Sequence, residues 1–545
     1  MPPITAEDAS TGQAAPPARK PAPRVGALEP LRLPVFRMLW TTWLMANVCM
    51  WMNDVAAAWL MTTLDPSPLW VALVQSASTL PVFLLGLPSG ALADMLDRRR
   101  WLMATQFWLA GTAVVLCAVI ALGLINAPLL LALTFANGIG LALRWPVFSA
   151  IVPELVPRTH LPAALGLNGI AMNASRIVGP LLAGFLIASA GSVWVFALNA
   201  VLSVVSGFVV MRWRREHRPN PLGRERLVSA MRVGVQFVRQ SPRMRAVLLR
   251  ISLFFFHSTA LLALLPLLAR GLEGGDAGTF TLLLAAMGSG AIFAVLLLPR
   301  LRQGLARDQL VTWGAVAQAG ATAVMAVAPN AWIAVPAMFI GGMAWITTAN
   351  SLSVSAQLAL PDWVRARGMA TYQMAIMGAS AIGAALWGQI ATVTDLRTAL
   401  LIAASSGVAS MLVAVRAVRD RPEEDDVSPA REGWATHPPG RKPDENGRVV
   451  IQIDYRIDAA RADAFRRVME ETRRVRLSQG AIEWALWHDI QDPGHFVEHI
   501  VDESWTEHLR RFHRATAADI ALRERRLAFH VGDGAPTVTR YVQPR

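Results

Sequence analysis

The stretch AVLLRISLFFFHSTALLALLPLLA, residues 246–269, contains only two ionisable side chains, those of Arg250 and His257. A helix that crosses the roughly 30 Å hydrocarbon core of a bilayer needs ~20 consecutive and mainly apolar residues. The stretch therefore predicts a membrane-spanning helix rather than a buried helix of a soluble protein.

Similar stretches lie on both sides of this one, and the breaks between them carry turn residues, such as DPSP at 65–68 and PN at 329–330. Twelve stretches are long and apolar enough to be predicted as spans. They are roughly 37–62, 69–93, 101–123, 128–150, 163–189, 192–212, 246–269, 278–298, 309–328, 331–356, 367–390 and 396–416.

Charge is scarce in the spans and normal after them. Residues 37–416 hold 38 charged side chains in 380 positions, whereas residues 448–545 hold 31 in 98. This distribution excludes a single soluble enzyme, a disordered protein and a disulfide-stabilised secreted protein. The predicted fold class is an all-α membrane protein of twelve transmembrane helices, in two parallel six-helix repeats, followed by a small C-terminal α+β domain.

The net charge of +13 comes almost wholly from arginine, and the arginines concentrate in alternate short loops. This pattern favours membrane topology over a nucleic-acid partner, because cytoplasmic loops carry the positive excess. We therefore expect a multi-pass protein of the bacterial cytoplasmic (inner) membrane with both termini in the cytoplasm. Within the long loop before the seventh span, residues 226–240 predict a basic amphipathic helix on the inner leaflet.

Composition divides the chain into six segments. The first 30 residues are rich in Pro and Ala and lack the apolar core of a signal peptide, so they predict a disordered cytosolic tail. The predicted segments are this N-terminal tail at 1–35, a six-helix half at 36–212, a central loop at 213–245, a second half at 246–416, a linker at 417–447 and a cytosolic domain at 448–545.

The two halves share an internal repeat. A shift of 204 residues, without a gap, aligns identical residues in the fourth and fifth spans with the tenth and eleventh: Phe135 with Phe339, Gly138 with Gly342, Ser149 with Ser353, Pro157 with Pro361, Gly179 with Gly383 and Gly184 with Gly388. Parallel repeats of six helices are typical of one large transporter class, in which the substrate site lies between the halves near mid-membrane.

Residues 448–545 predict a separate soluble domain. Val449, Ile451 and Ile453 alternate as a half-buried strand does. The predicted order is strand 449–456, helix 459–477, strands 481–490 and 495–502, helix 505–527 and strand 536–542, which is typical of a ferredoxin-like fold. Its histidines at 488, 495, 499, 508 and 513 follow no metal-binding motif and are expected to face solvent, so neither a metal nor a cofactor is predicted.

The loop after the second span reads GALADMLDRRR at 90–100. It resembles the signature of the major facilitator superfamily, which Gly90, Asp94, Arg98 and Arg99 match, whereas positions 95 and 97 depart from the usual base and glycine. The resemblance implies a gate in which Asp and Arg form ion pairs in one transport state and lose them in the other. The alternative is an acid that ends a helix beside topology-setting arginines.

The fifth predicted span contains NASRIVGPLLAG at 173–184. It resembles the glycine-proline motif of antiporters in the exporter branches of this superfamily, and Gly179, Pro180 and Gly184 match it. The resemblance favours export over import. Small residues also let helices approach closely, so ordinary packing is the alternative.

Three flanking segments, at 53–68, 80–94 and 152–168, look like the siderophore and macrolide exporter group of the superfamily, and the resemblance covers roughly 35–415. The segments WTEHLRRFHRAT (505–516) and AIEWALWHDIQDP (481–493) are similar to the appended domain of a subset of that group. That domain resembles antibiotic-biosynthesis monooxygenase-like dimeric α/β barrels. We favour a dimerising or regulatory module over an enzyme.

Asp54 is the one acid predicted to lie well inside a span. A charge there costs at least about 2.5–3.5 kcal/mol on insertion scales, so the residue is a functional candidate. We hypothesise that Asp54 exchanges a proton, with Arg144 or Arg176 modulating its pKa. A fixed structural Asp–Arg pair is the alternative. His257 is a further candidate because it can titrate near neutral pH, and the favoured alternative is a neutral, hydrogen-bonded histidine that faces the cavity. Trp51 could line the cavity, but lipid contact is the favoured expectation.

The predicted function is secondary active transport: proton-coupled export of a siderophore-like or drug-like small molecule by alternating access. The expected partners are the substrate, protons, the bilayer and a second copy of the domain at 448–545. Two alternatives stay open, namely a membrane-anchored monooxygenase acting through the C-terminal domain and an importer of nutrients.

Overall fold

A computed structural model describes residue 26 and residues 28–213, 227–417 and 447–543, except positions 96, 158 and 362. The predicted N-terminal tail at 1–35 and linker at 417–447 fall largely outside the described residues. A short 3-10 turn at Glu29–Arg32 precedes the first long helix.

Two groups of six long helices follow each other along the chain. The first group comprises α1 (Pro34–Leu64), α2 (Pro68–Met95), α3 (Arg98–Ala121), α4 (Ala127–Leu155), α5 (Leu161–Ala190) and α6 (Ser192–Arg212). A shorter helix, α7 (Leu227–Gln240), separates the groups. The second group comprises α8 (Pro242–Gly271), α9 (Ala277–Gly304), α10 (Arg307–Val327), α11 (Ala331–Leu358), α12 (Arg365–Val393) and α13 (Leu396–Ala417).

Among the described helices, eleven are long and apolar enough to cross a membrane, and these are α2–α6 and α8–α13. Helix α1 is as long as the others but is more polar, since it contains Asn47, Asn53 and Asp54. It nevertheless packs against α5, α6 and α2 as a full member of the first group. The polar residues that lower its hydropathy are buried or half-buried against those helices.

The repeated glycines make equivalent contacts in the two halves. A Cβ atom at Gly179 of α5 would lie 2.5 Å from the Cβ of Trp51 on α1, and one at Gly383 of α12 would overlap the carbonyl oxygen of Phe256 on α8. Asn126 and Asn330, also 204 residues apart, cap α4 and α11 by accepting a hydrogen bond from the backbone three residues on. Each half therefore uses the same residues for the same local contacts.

The apolar cores of the two halves merge at one end only. We call the end nearest α7 the α7 side and the opposite end the far side. On the far side, one cluster joins both halves, from Met61 and Val71 to Leu264 and Ala391. On the α7 side the described residues form two separate clusters, one in each half.

Helix α7 lies between the second half and the C-terminal domain. Its Val233 and Val238 are buried, and a Cβ atom at Gly234 would lie 2.9 Å from Arg367 of α12. From another side of the helix, Arg232 forms an ion pair with Glu503 of the C-terminal domain at 2.8 Å. The amphipathic helix predicted for 226–240 is thus present. It was expected to lie on the inner leaflet, and in the structure it packs against α12 and the C-terminal domain.

The C-terminal domain contains the strands β1 (Val449–Arg456), β2 (Glu483–His488), β3 (His495–Asp502) and β4 (Thr537–Val542) and the helices α14 (Ala462–Ser478), α15 (Trp505–His513) and α16 (Ala517–Leu527). The strands form one antiparallel sheet in the order β2-β3-β1-β4. The helix predicted at 505–527 is in fact two helices, because Thr516 caps α16 through the backbone N–H of Asp519 and so starts a new helix.

Candidate functional site

The two halves meet along a seam, which we define as the contacts of α2 with α12 and of α5 with α9. Ser76 of α2 donates a hydrogen bond to the carbonyl oxygen of Ala381 on α12 at 2.7 Å. A Cβ atom at Gly184 of α5 would overlap the side chain of Thr281 on α9. Small residues thus allow the backbones of the two halves to approach closely.

Asp54 lies in α1 and is half-buried. Its carboxylate accepts a hydrogen bond from Oγ of Ser78 on α2 at 2.9 Å. Neither of the two arginines expected beside it, Arg144 and Arg176, forms an ion pair with Asp54 among the described residues. The side chain that positions this carboxylate is therefore a serine.

Arg176 lies at the middle of α5 and is stacked between aromatic rings of both halves. Its guanidinium carbon lies 4.4 Å from the ring centre of Trp345 on α11 and 5.4 Å from that of Trp51 on α1. The phenol of Tyr372 on α12 is within electrostatic range. The Nε atom of Arg176 is buried and has no hydrogen-bond partner. Trp51, which was expected to contact lipid, contacts this cation.

Arg144 lies in the first half, away from the seam. It is 3% exposed, and its guanidinium carbon lies 5.2 Å from the ring centre of Trp43. The other contact of that ring is Phe148, stacked at 3.9 Å. The structure therefore places Arg144 in the α7-side core of the first half, not beside Asp54.

His257 lies inside the second half, between α8, α12 and α13. Its Nδ1 atom is 2.8 Å from the carbonyl oxygen of Leu253, and its ring packs against Phe256 and Trp387. A small cavity beside it is lined by the polar side chains of Ser258, Gln318 and Thr322. His257 is thus in a polar site of its own and is separate from Asp54.

The loop with the superfamily-like signature is described in part. The surroundings of Gly90 and the side chain of Asp94 lie outside the described part of the structure. Arg99 donates a hydrogen bond to the carbonyl oxygen of Met211 at 2.5 Å, which ties the start of α3 to the end of α6. Asp97, where glycine is usual, caps α3 through the backbone N–H of Arg100 at 2.9 Å. Arg98 is the first residue of α3.

The antiporter-like motif lies where α5 contacts both α1 and the seam. Gly179 faces Trp51, Gly184 faces Thr281, and Pro180 is buried inside the helix between them. Because Gly179 brings the two backbones together one turn after Arg176, the motif also holds that arginine against the rings beside it.

The profile of the transmembrane secretion effector family matches residues 25–545. The chain belongs to this family. It is a family of transporters of the major facilitator superfamily, so the family indicates a transporter rather than an enzyme. The match extends through the C-terminal domain. The resemblance of that domain to monooxygenase-like barrels is not tested by it.

Several curated transporters are similar to this secretion-effector family member. It is 30% identical over 197 residues to the uncharacterized MFS-type transporter YfiS of Bacillus subtilis, covering 35% of this chain and 46% of that protein. It is 22% identical to the staphyloferrin A transporter of Staphylococcus aureus (46% and 63% covered) and 23% identical to macrolide efflux protein A of Streptococcus pyogenes (48% and 65% covered). The chain spans about half to two thirds of the length of these relatives.

Solved transporters share the fold. A POT family transporter in complex with 5-aminolevulinic acid superposes with a TM-score of 0.58 at 12% identity, covering 70% of this chain and 96% of that one. The nucleoside transporter NupG gives a TM-score of 0.57 at 14% identity, covering 71% and 99%. At these identities, the likeness concerns the arrangement of the helices alone.

The C-terminal domain of this family member contains a buried ionic cluster. The Glu498 carboxylate accepts hydrogen bonds from Nε of Arg476 at 3.0 Å, the hydroxyl of Tyr455 at 3.0 Å and Nε1 of Trp484 at 3.1 Å. Burial alone would raise the pKa of Glu498, but the guanidiniums of Arg476 and Arg526 outweigh it and lower the pKa to about 2. The cluster joins the sheet to α14 and α16.

His508 was expected to face solvent, and that expectation is wrong. The side chain is 2% exposed, and its Nδ1 atom lies 2.8 Å from the Asp502 carboxylate. Burial, with the neighbouring Arg511, lowers the pKa of His508. The ring also packs against Trp505 and Phe512 of its own helix. Residues three before and four after a helical position share its face, so this apolar spacing in the sequence indicates that His508 points inward.

Two contact residues were not singled out from the sequence: Ser78 and Trp345. Each contacts a candidate residue from a different helix, so its role depends on how the helices are rotated against one another. An aromatic residue at mid-span on a helix of the second half is the only signal that points to Trp345.

Proposed function

We propose that this chain is a twelve-span secondary transporter that exports a small molecule in exchange for protons by alternating access. The observation that carries the proposal is the seam. Two six-helix groups share one core on the far side and have separate cores on the α7 side, with Asp54 and Arg176 at mid-depth between. Two helix groups whose apolar cores merge at one end only can rock about a central site.

In this proposal α1 also crosses the membrane and brings the number of spans to twelve. The α7 side faces the cytoplasm of a bacterial cell. Arginines at 98–100, 300, 307, 365 and 367 lie on that side, which the positive-inside rule supports. Both termini and the C-terminal domain are then cytoplasmic. The merged core closes the outer side, so the substrate enters from the cytoplasm.

Export is favoured over import by two arguments. The glycine-proline motif resembles that of antiporters, and Gly179 and Gly184 both lie at close helix contacts. A relative is named for macrolide efflux, and another is named as a staphyloferrin A transporter. We therefore propose a siderophore-like or drug-like substrate.

Asp54 is the proposed proton carrier. A carboxylate is expensive at mid-membrane, and protonation removes much of that cost. Ser78 can accept a hydrogen bond from a protonated Asp54 as well as donate one to the charged form, because a hydroxyl does both. Substrate leaves on the outer side, Asp54 takes a proton there, and the neutral carboxyl accompanies the return of the halves. Arg176, whose guanidinium lies over the ring of Trp51 one turn before Asp54 on α1, is proposed to adjust this proton affinity.

The residues of the loop signature are the proposed gate on the cytoplasmic side. Gly90, Asp94, Arg98 and Arg99 lie where α2 and α3 meet, on the side where the described cores are separate. In the opposite transport state, ion pairs from this loop close the cytoplasmic end.

Transport in everted membrane vesicles tests the proposal. With the vesicle interior acidified, we expect accumulation of a labelled macrolide or of staphyloferrin A, and collapse of accumulation by a protonophore. Asp54→Asn should abolish the pH-driven part of accumulation. The control is Asp65→Asn, the same substitution at the far-side end of α1, where the carboxylate only accepts a hydrogen bond from the backbone N–H of Ser67. Unchanged transport by Asp54→Asn would refute the proton role, and accumulation in right-side-out vesicles instead would refute export.

For the C-terminal domain we propose regulation or self-association. The supporting contacts are those to α7: Arg232 pairs with Glu503, and Gln236 donates a hydrogen bond to the carbonyl oxygen of Ala481 at 2.8 Å. Oxygen-dependent turnover by the purified chain would favour the monooxygenase alternative. Cross-linking between two copies at this domain, and its loss after deletion of 447–545, tests self-association.

A further inference from the structure

We infer that Arg176 is the anion-binding group of the substrate site, and that the substrate is an organic anion with a carboxylate and an aromatic or otherwise apolar body. The inference rests on the proposed function, whose transport site it describes in more detail. Four observations carry it: the position of Arg176, its stacking, its missing counter-ion and the walls around it.

Arg176 is placed where both halves can contact a bound molecule. It lies at mid-helix in α5, and its two stacking rings come from α1 of the first half and α11 of the second. Beyond it toward the far side, α5 and α9 are in close contact, since a Cβ atom at Gly288 would lie 3.2 Å from Ile177. Arg176 therefore lies where the close contact between α5 and α9 begins.

The guanidinium of Arg176 has hydrogen-bond donors that no described residue uses. Aromatic rings attract a guanidinium by its flat face, whereas its N–H donors point outward in the plane of the group. Among the described residues, none accepts a hydrogen bond from Arg176, and its Nε atom is buried. Two parallel N–H donors in a fixed plane match the two oxygens of a carboxylate.

No protein carboxylate in the described spans neutralises this cation. Asp54 is the acid nearest to mid-depth in those spans, and its hydrogen bond is to Ser78. Two other buried arginines do have acids, since Arg250 pairs with Asp308 at 2.7 Å and Arg476 with Glu498 at 3.0 Å. Arg144, over Trp43 in the core of the first half, has no acid among the described residues either, but it lies away from the seam. At mid-membrane, Arg176 is in contact with aromatic rings alone. An anionic substrate would therefore supply the negative charge that neutralises it.

The aromatic side chains around Arg176 indicate what kind of organic group the anion carries. Trp51 and Trp345 place aromatic surface beside the guanidinium, one ring from each half. An inorganic anion would use the charge and leave this apolar surface in contact with water. An aromatic or apolar carboxylate uses both.

Equilibrium binding to the purified full chain in lipid nanodiscs tests the inference. The probes are radiolabelled 1-naphthoate and 1-pyrenebutyrate, each compared with its amide, which has the same body without the charge. We expect the wild type to bind the carboxylates at least about tenfold more tightly than the amides, the range for a charge-assisted hydrogen bond. Arg176→Gln should abolish that preference, and Arg176→Lys should restore part of it, because lysine keeps the charge without the planar fork.

Arg270→Gln is the matched control. Arg270 also stacks on a tryptophan, at 4.7 Å from the ring centre of Trp59, and also joins the halves, through a hydrogen bond to the carbonyl oxygen of Thr62 at 3.0 Å. It lies at the far-side end, so its loss should leave the ratio of carboxylate to amide affinity unchanged. If Arg176 merely joined the two halves, as Arg270 does, both variants would change the ratio of carboxylate to amide affinity in the same way.

Competition separates the sources of the anion. Complete displacement of naphthoate by millimolar inorganic phosphate or chloride, or by anionic phosphatidylglycerol in place of neutral lipid, would overturn the inference of an organic substrate. Equal affinity for carboxylate and amide, or a preference that survives Arg176→Gln, would overturn the role of Arg176. Because binding is measured without transport, failure of export in vesicles would refute the proposed function and leave anion binding at Arg176 intact. Export of a neutral compound that Arg176→Gln does not affect would refute the anion-binding role and leave the proposed function intact.

Discussion

Replacing Glu498 by glutamine should unfold the C-terminal domain at far lower denaturant concentration. The carboxylate is fully buried and is held by Arg476 and by the hydroxyl of Tyr455. A pKa that falls from 4.5 to about 2 on folding corresponds to about 3 kcal/mol of unfolding free energy at neutral pH. Removing one partner of a buried ion pair costs about 3–5 kcal/mol by mutational experience, which agrees.

The pH dependence has a definite sign. Because the folded-state pKa of Glu498 is lower than its ordinary value, the stabilisation is complete above about pH 5 and is lost as pH falls toward 2. By pH 3 about 2 kcal/mol of it should be gone. Glu498→Gln should show none of this loss, since the amide does not titrate.

Thiol labelling during urea unfolding measures the effect in the full chain. The two native cysteines, Cys49 and Cys117, are replaced by alanine, and Ala481→Cys provides a fully buried reporter in the domain. A pyridyl disulfide reagent reacts at both neutral and acidic pH. The wild-type background and Glu498→Gln are compared at pH 7 and pH 3.

The matched control is Glu471→Gln in the same domain. Glu471 pairs with Arg525 at 2.5 Å, but the two side chains are 43% and 56% exposed, and such surface pairs contribute about 0–1 kcal/mol. If Glu498→Gln shifts the urea midpoint no further than Glu471→Gln does, the argument from burial and pairing is wrong.

Two further predictions concern the helices. Gly184→Val places atoms on top of the Thr281 side chain, so the far-side contact between the halves should loosen. A polar thiol reagent should then label cysteines introduced on the far side severalfold faster, and unchanged labelling would contradict this. Arg232→Ala removes the 2.8 Å ion pair with Glu503, so hydrogen exchange at residues 478–484 should rise severalfold, whereas Arg239→Ala, on the exposed side of α7, should leave it unchanged.

The sequence predicts those elements whose pattern is local. The strands at 449–456 and 495–502 have the predicted bounds, because alternating burial is visible in the residues themselves. The long helices are recognised by apolar length alone. The break at Thr516 was missed because capping by a threonine and an aspartate three residues later occurs within a segment that is otherwise suited to one helix.

Partners across helices were harder to predict. The sequence indicates Asp54 as a functional candidate, since one acid in an apolar stretch is conspicuous, but it also suggested an arginine beside it. The partner is Ser78, and the arginines stack on tryptophans. Which side chain faces which depends on helix rotation and depth, and neither is encoded in a linear pattern of apolar and polar residues.

Helix α7 has one more consequence. Its buried Val238 belongs to the core of the second half, while Arg232 and Gln236 hold the C-terminal domain. Arg514 of that domain lies over the ring of Trp363 next to α12. The C-terminal domain is thus held, through α7, against the second six-helix half. An antibody fragment raised against it would add mass outside the lipid for electron microscopy, and its tilt would report the rocking motion that we propose.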